Sequence, residues 1–162
     1  MSALYDPKPV PELAQTEGEW QGTLTYKDYQ DPTLKVTLQT MLEAALATPS
    51  ELTLHYIFDD GPKKIVHSYE GLALDLPQKT LTWLGLKPSD TAICRIASVE
   101  HTGETLTVIA EMDRIDEGTH KWYRYHVTLG PKLIKITKDD GTDPKMLSFR
   151  DEYVFHRVAP KL

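Results

Sequence analysis

The sequence contains a single cysteine, Cys94, so no internal disulfide can form and no Cys-based zinc module can be built. A lone thiol fits a reducing compartment. No run of about 18 apolar residues occurs, so no helical membrane span is expected. The stretch from Met1 to Pro7 has neither a basic start nor an apolar run, so no secretory signal is expected and the cytoplasm is the expected location. Basic charge is also scarce: 18 Lys and Arg stand against 24 Asp and Glu, a formal charge of −6. That field repels phosphate backbones, and the basic residues form no stripe, so nucleic acid is not an expected partner. No Gly-x-Ser-x-Gly elbow is present, and no glycine-rich loop leads into a helix, which removes α/β-hydrolase chemistry and nucleotide hydrolysis.

What the chain does have is a long series of short alternating segments. Residues 1–17 form a proline-rich arm. Pro7, Pro9 and Pro11 fix φ and remove backbone donors, so this arm is expected to be extended and to lie across one end of the domain. From Gly18 to Val158 the texture is that of one all-β domain, with runs of β-branched and aromatic residues between turn signals. Trp20, Gly22, Leu24 and Tyr26 share one face of the first strand by period two. Leu52, Leu54, Tyr56 and Phe58 repeat the pattern before the turn Asp59-Asp60-Gly61-Pro62. His101 to Glu104 joins two further strands as a hairpin. The segment Thr40–Ala47 is the exception: by propensity it is expected to be a short helix, stopped by Pro49.

About eight to ten strands at steady spacing, with no βαβ unit and no long crossover, predict an antiparallel up-and-down barrel with one short helix. Closure removes the exposed edges that so many strands would otherwise leave. The two ends of the chain carry a resemblance. Gly18-Glu19-Trp20 opens the first strand as Gly-x-Trp, and Arg157 sits near the end of the last. This resembles the calycin superfamily of lipocalins and fatty-acid-binding proteins. There the tryptophan of the first strand packs under a cation of the last and closes the base. The resemblance assigns that structural role to Trp20 and Arg157, with Arg150 as the other candidate; Arg157 is the one in phase with Tyr153 and Phe155. Gly18 to Gly22 is also similar to the Gly-x-Trp-x-Gly start of nitrobindin-type haem barrels, although Thr23-Leu24 departs from that pattern.

Residues that could carry chemistry are scattered. No His-x-His pair occurs among the six histidines, and His120 and His126 lie too far apart along one strand to share an ion. No metal site and no catalytic residue are assigned. Cys94 sits mid-strand and reads as a small core residue. The carboxylate pairs Asp59-Asp60 and Asp139-Asp140 adjoin glycines and read as turn formers. The face made by Tyr123, Tyr125, Val127 and Leu129 is the more apolar side of its strand and is expected to point inward.

Three functional expectations follow. The first is a cavity that binds a small apolar or amphipathic molecule, with an anionic head as one form of it. Tyr26, Tyr56, His67, Tyr69, Tyr125 and Tyr153 would line it and Arg95 would meet the head, since a tyrosine wall is apolar with polar tips. Enzymatic activity is not the preferred expectation. The second places haem or an enzymatic centre in the same barrel, on His67, His126 or His156. The third is a structural module whose interior is filled by side chains, with strand edges and the arm open to homodimerisation.

Overall fold

The computed structural model describes residues 5–158. Residues 1–4 of the proline-rich arm and residues 159–162 lie outside the described part. Ten antiparallel strands form one closed barrel. They are β1 (Gly18–Lys27), β2 (Lys35–Thr48), β3 (Glu51–Asp59), β4 (Ile65–Asp75), β5 (Thr80–Leu84), β6 (Ala92–Thr102), β7 (Thr105–Asp116), β8 (Thr119–Leu129), β9 (Leu133–Gly141) and β10 (Ser148–Arg157). Each pairs with its neighbour in sequence, and β1 closes on β10 from Trp20 opposite Arg157 to Tyr26 opposite Asp151. Gly22 is required at this seam. A Cβ there would stand 1.8 Å from the Val154 carbonyl oxygen, so the two strands approach too closely for any side chain.

Two expectations about helix are corrected. Thr40–Ala47 is not helical but belongs to β2. Thr40, Leu42 and Ala44 are buried while Met41, Glu43 and Ala45 are exposed, so the segment follows period two. Pairing with β1 on one side and β3 on the other outweighs a helix preference of tenths of a kcal/mol per residue. The single α-helix of the described residues, α1 (Pro11–Ala14), lies instead in the arm expected to be extended. Pro11 sits in its first turn, where a missing N–H costs nothing and the fixed φ suits a helix.

The arm is a plug. Val10, Leu13 and Thr16 are buried against the base of the barrel. The Val10 amide donates to the Pro49 carbonyl at 2.9 Å, Glu12 pairs with His101 at 3.0 Å, and the Gln15 amide donates to the Glu104 carbonyl. Above it the base half of the barrel is solid. Leu42, Leu52, Leu54, Leu72, Leu74, Leu81, Leu106 and Leu129 are all fully buried there with Trp20 and Phe155. The strands extend to an opposite end, the mouth, where the interior changes from apolar to polar. β5 is short, so only Gly71–Asp75 of β4 pairs with it, and Ile65–Glu70 is paired on the β3 side alone. The loop between β5 and β6 crosses this notch and contains a 3₁₀ turn, Pro88–Asp90.

Candidate functional site

Polar and charged side chains meet in a cavity of about 270 Å³ in the mouth half of the barrel. Each reaches it for the same reason: it continues, towards the mouth, the inward face that is apolar at the base. Glu70 precedes Leu72 and Leu74 on β4; Arg114 follows Ala110 and Met112 on β7; Lys138 follows Ile134 and Ile136 on β9. Asp151 and Tyr153 come from β10, Trp83 from β5, Tyr125 from β8, and Asp90 from the loop over the notch. Asp151 continues the inward phase of Phe155 and Tyr153 on β10.

The hydrogen bonds in this cavity are unevenly distributed. The Tyr56 hydroxyl donates to Glu70 at 2.6 Å, and the Tyr56 ring stacks on Tyr153 with centroids 4.6 Å apart. Arg114 is held by Asp116 at 2.9 Å, and Tyr123 also donates to Asp116. The Lys138 ammonium lies 4.9 Å from the Tyr123 ring centre and 5.8 Å from that of Tyr125. Among the described residues neither Lys138 nor Asp151 makes an ion pair. The Trp83 indole N–H is buried in the cavity wall with no acceptor. Trp83 packs on Tyr125 with ring centroids 5.4 Å apart.

Burial sets the electrostatics. It raises the Glu70 carboxyl above its ordinary value, against the lowering effect of the Tyr56 hydrogen bond and of Lys138. It raises the Asp151 carboxyl too, and here Lys138 and Arg150 only partly offset it. The phenols of Tyr56, Tyr125 and Tyr153 are pushed upward by the same loss of solvent, so all three are neutral hydrogen-bond donors near pH 7. The site therefore presents neutral donors, two half-compensated carboxyls and one ammonium that lies against aromatic faces without a salt bridge among the described residues.

Of the residues singled out from the sequence, Tyr125 and Tyr153 line this cavity and Tyr56 is buried behind it. Tyr26 shares the inward phase of Trp20 and Leu24 but sits at the rim, 6.0 Å from the Tyr29 ring. Three placements are corrected. Arg95 points outward: its side chain is 77% exposed and lies 3.6 Å from Glu111. The bulge between Ile96 and Ser98 inserts a residue, so the phase of Val99, counted back to Arg95, gives the wrong side. Cys94, between Ile93 and Arg95, is the inward residue and is fully buried. Tyr69 and His67 also lie on the outer face. They alternate with the inward Ser68 and Glu70, and both gather around His55: Tyr69 stacks on its ring at 4.2 Å, and His67 meets its Nε2 at 2.9 Å. Glu43 holds the other nitrogen of His55 at 3.0 Å.

His126 and His156 likewise alternate with inward residues and face outward, so the cavity wall contains no histidine. The Asp139-Asp140 pair belongs to the end of β9 rather than to a loop. Arg157 lies over the Trp20 ring, and Arg150 lies over Tyr29 at the rim. Sequence reasoning missed Glu70, Trp83, Asp90, Arg114, Lys138 and Asp151. For Glu70, Arg114 and Lys138 the signal was present, as a charge in phase with an apolar run. For Asp151 it was present too, two residues before Tyr153 in the same phase, whereas Asp90 arrives on a loop that no periodicity describes.

A larger groove of about 560 Å³ lies on the outer face from β10 across β1, β2 and β3 to the start of β4, lined by side chains such as Gln39, Met41, Ile57 and His156. It is bounded by ordinary outward residues and holds no buried unpartnered polar atom among those described, so the interior cavity is the better site. No protein-family model matches the chain, and no curated protein matches it in sequence. Among the described residues no helix is long and apolar enough to cross a membrane.

Proposed function

We propose that this chain is a small-molecule-binding protein of calycin-like architecture, with the ligand seated in the mouth half of the barrel. The observation that carries the reading is the convergence of Glu70, Lys138, Asp151 and Tyr153, from three strands, on one cavity above an apolar base. A small number of polar groups set in a largely aromatic wall is what orients a small ligand. The space supports the same reading. At about 270 Å³ it equals roughly nine waters' share of liquid volume, which suits a molecule of about ten heavy atoms rather than a long acyl chain. The solid base half supports a short ligand as well. The anchor is moved from Arg95 to the groups that face the cavity, Trp83, Lys138, Glu70 and Asp151.

Native mass spectra of freshly purified protein, before and after denaturation, test the proposal. A bound mass of a few hundred daltons or less, released on denaturation, is the expected result. Adding that molecule at 100 times its Kd should stabilise the fold by about 2.7 kcal/mol, and Arg95→Glu should leave this response unchanged. A mass that stays bare after incubation with cell extract would favour the filled, structural barrel.

A further inference from the structure

We propose that the cavity takes a small protonated amine, seated between Glu70 and Asp151 and against the aromatic faces of Trp83 and Tyr125. This assignment of ligand class rests on the cavity being the binding site.

The charge balance of the wall is the first argument. Glu70, Asp90 and Asp151 face the cavity against Arg114 and Lys138. Arg114 is already tied to Asp116, a carboxylate outside that set, at 2.9 Å. Lys138 is therefore the one wall cation without a carboxylate partner, facing three wall carboxylates. An anionic ligand entering here would meet Lys138 but would also be held close to like charges in a poorly solvated space, which is costly. An ammonium group reverses each of those signs. Burial raises the Glu70 and Asp151 carboxyls and Lys138 only partly offsets it, so a further cation beside them is favoured.

The aromatic lining is the second argument. Trp83 and Tyr125 form one corner, and Tyr153, backed by Tyr56, forms another. Such faces attract a cation through their quadrupoles, and more strongly when water is excluded. Lys138 already uses the Tyr123 and Tyr125 faces in this way, so the wall demonstrates its own preference.

Three probes of nearly equal size separate the possibilities: tyramine, its neutral alcohol analogue tyrosol, and 4-hydroxyphenylacetate. Calorimetry gives affinities, and the indole N–H resonance of Trp83, assigned with Trp83→Phe, reports occupancy of the cavity. Tyramine is expected to bind at least tenfold tighter than tyrosol, to shift the Trp83 resonance, and to lose tenfold or more with Asp151→Asn or Glu70→Gln. Tyrosol binding should change little in those variants, and circular dichroism melts verify that both are folded. Tightest binding by the carboxylate, with a shift of Trp83, would overturn the amine while leaving the cavity as the site. Equal binding of all three would do the same. Silence from all three at millimolar concentration would overturn the amine assignment, and the native mass spectra would then decide on the cavity alone.

Discussion

The guanidinium of Arg157 lies 4.4 Å from the centre of the Trp20 ring, on the residue directly across the ladder that closes the barrel. Trp20 is fully buried, and its N–H donates to the Thr16 carbonyl at 2.9 Å. Arg157 itself donates to the Pro131 and Glu17 carbonyls, each at 2.8 Å, and to the Gln15 carbonyl. One side chain thus ties together the seam, the turn between β8 and β9, and the plug. A planar fork with several donors can do this; a point charge on a flexible stem cannot.

Arg157→Ala is accordingly expected to destabilise the fold by about 2–4 kcal/mol, since it removes charged hydrogen bonds and uncovers an indole. Arg157→Lys should recover less than half of that. Gly18→Ala should also destabilise, because φ is +131° there and a Cβ would lie 2.8 Å from the Arg157 Nη1. Urea midpoints at unchanged m-value measure all three. A lysine variant as stable as wild type would show that charge alone suffices.

The plug makes a separate prediction. Leu13 is fully buried although it belongs to a helix of one turn. Leu13→Ala should cost about 2–4 kcal/mol, the usual range for a leucine cavity in a core. An effect below 1 kcal/mol in urea unfolding would mean that the arm docks only loosely.

The two cavity carboxyls should make stability fall with rising pH. Burial raises both in the folded state above their ordinary values of 4.5 for Glu70 and 3.8 for Asp151. Between the unfolded and folded values the native state holds more protons than the unfolded chain, so stability is greater below about pH 4 and declines as pH rises through the folded values. Relative to wild type, the double variant Glu70→Gln, Asp151→Asn should lack this decline. Near pH 7 it should be more stable by about 1 kcal/mol, or roughly 2–4 °C in Tm. Urea unfolding of both proteins from pH 4 to 8 checks the sign; a variant less stable at pH 7 would show that the carboxylates are well compensated in the free protein.

Cys94 should be inert in the native protein. It is fully buried, and burial pushes its thiol up to about 12. At pH 8 the thiolate is then about one part in ten thousand of the total. Reaction with a disulfide reagent should be at least a hundredfold slower than in denaturant. Rapid labelling under native conditions would mean that the wall opens around β6.

Most of the strands could be located from the sequence because burial on one side and solvent on the other impose period two, as in Leu52–Phe58 and Tyr123–Leu129. Closure could be anticipated from the number of strands and the shortness of the turns. The failures have physical causes. Helix propensity in Thr40–Ala47 is a local quantity, and two neighbouring strands override it. Arg95 reads as inward because it shares its phase with Ile93, which is apolar yet 67% exposed, and because the bulge beside Ile96, which exchanges the faces before Val99, is invisible in composition. The sequence by itself determined an all-β chain, its strand spacing and the aromatic and cationic residues available at its two ends. Only the tertiary structure decided that the base would be solid and the mouth polar. Glu70, Trp83, Lys138 and Asp151 come from four different strands, and the distances between them exist only once the barrel has closed.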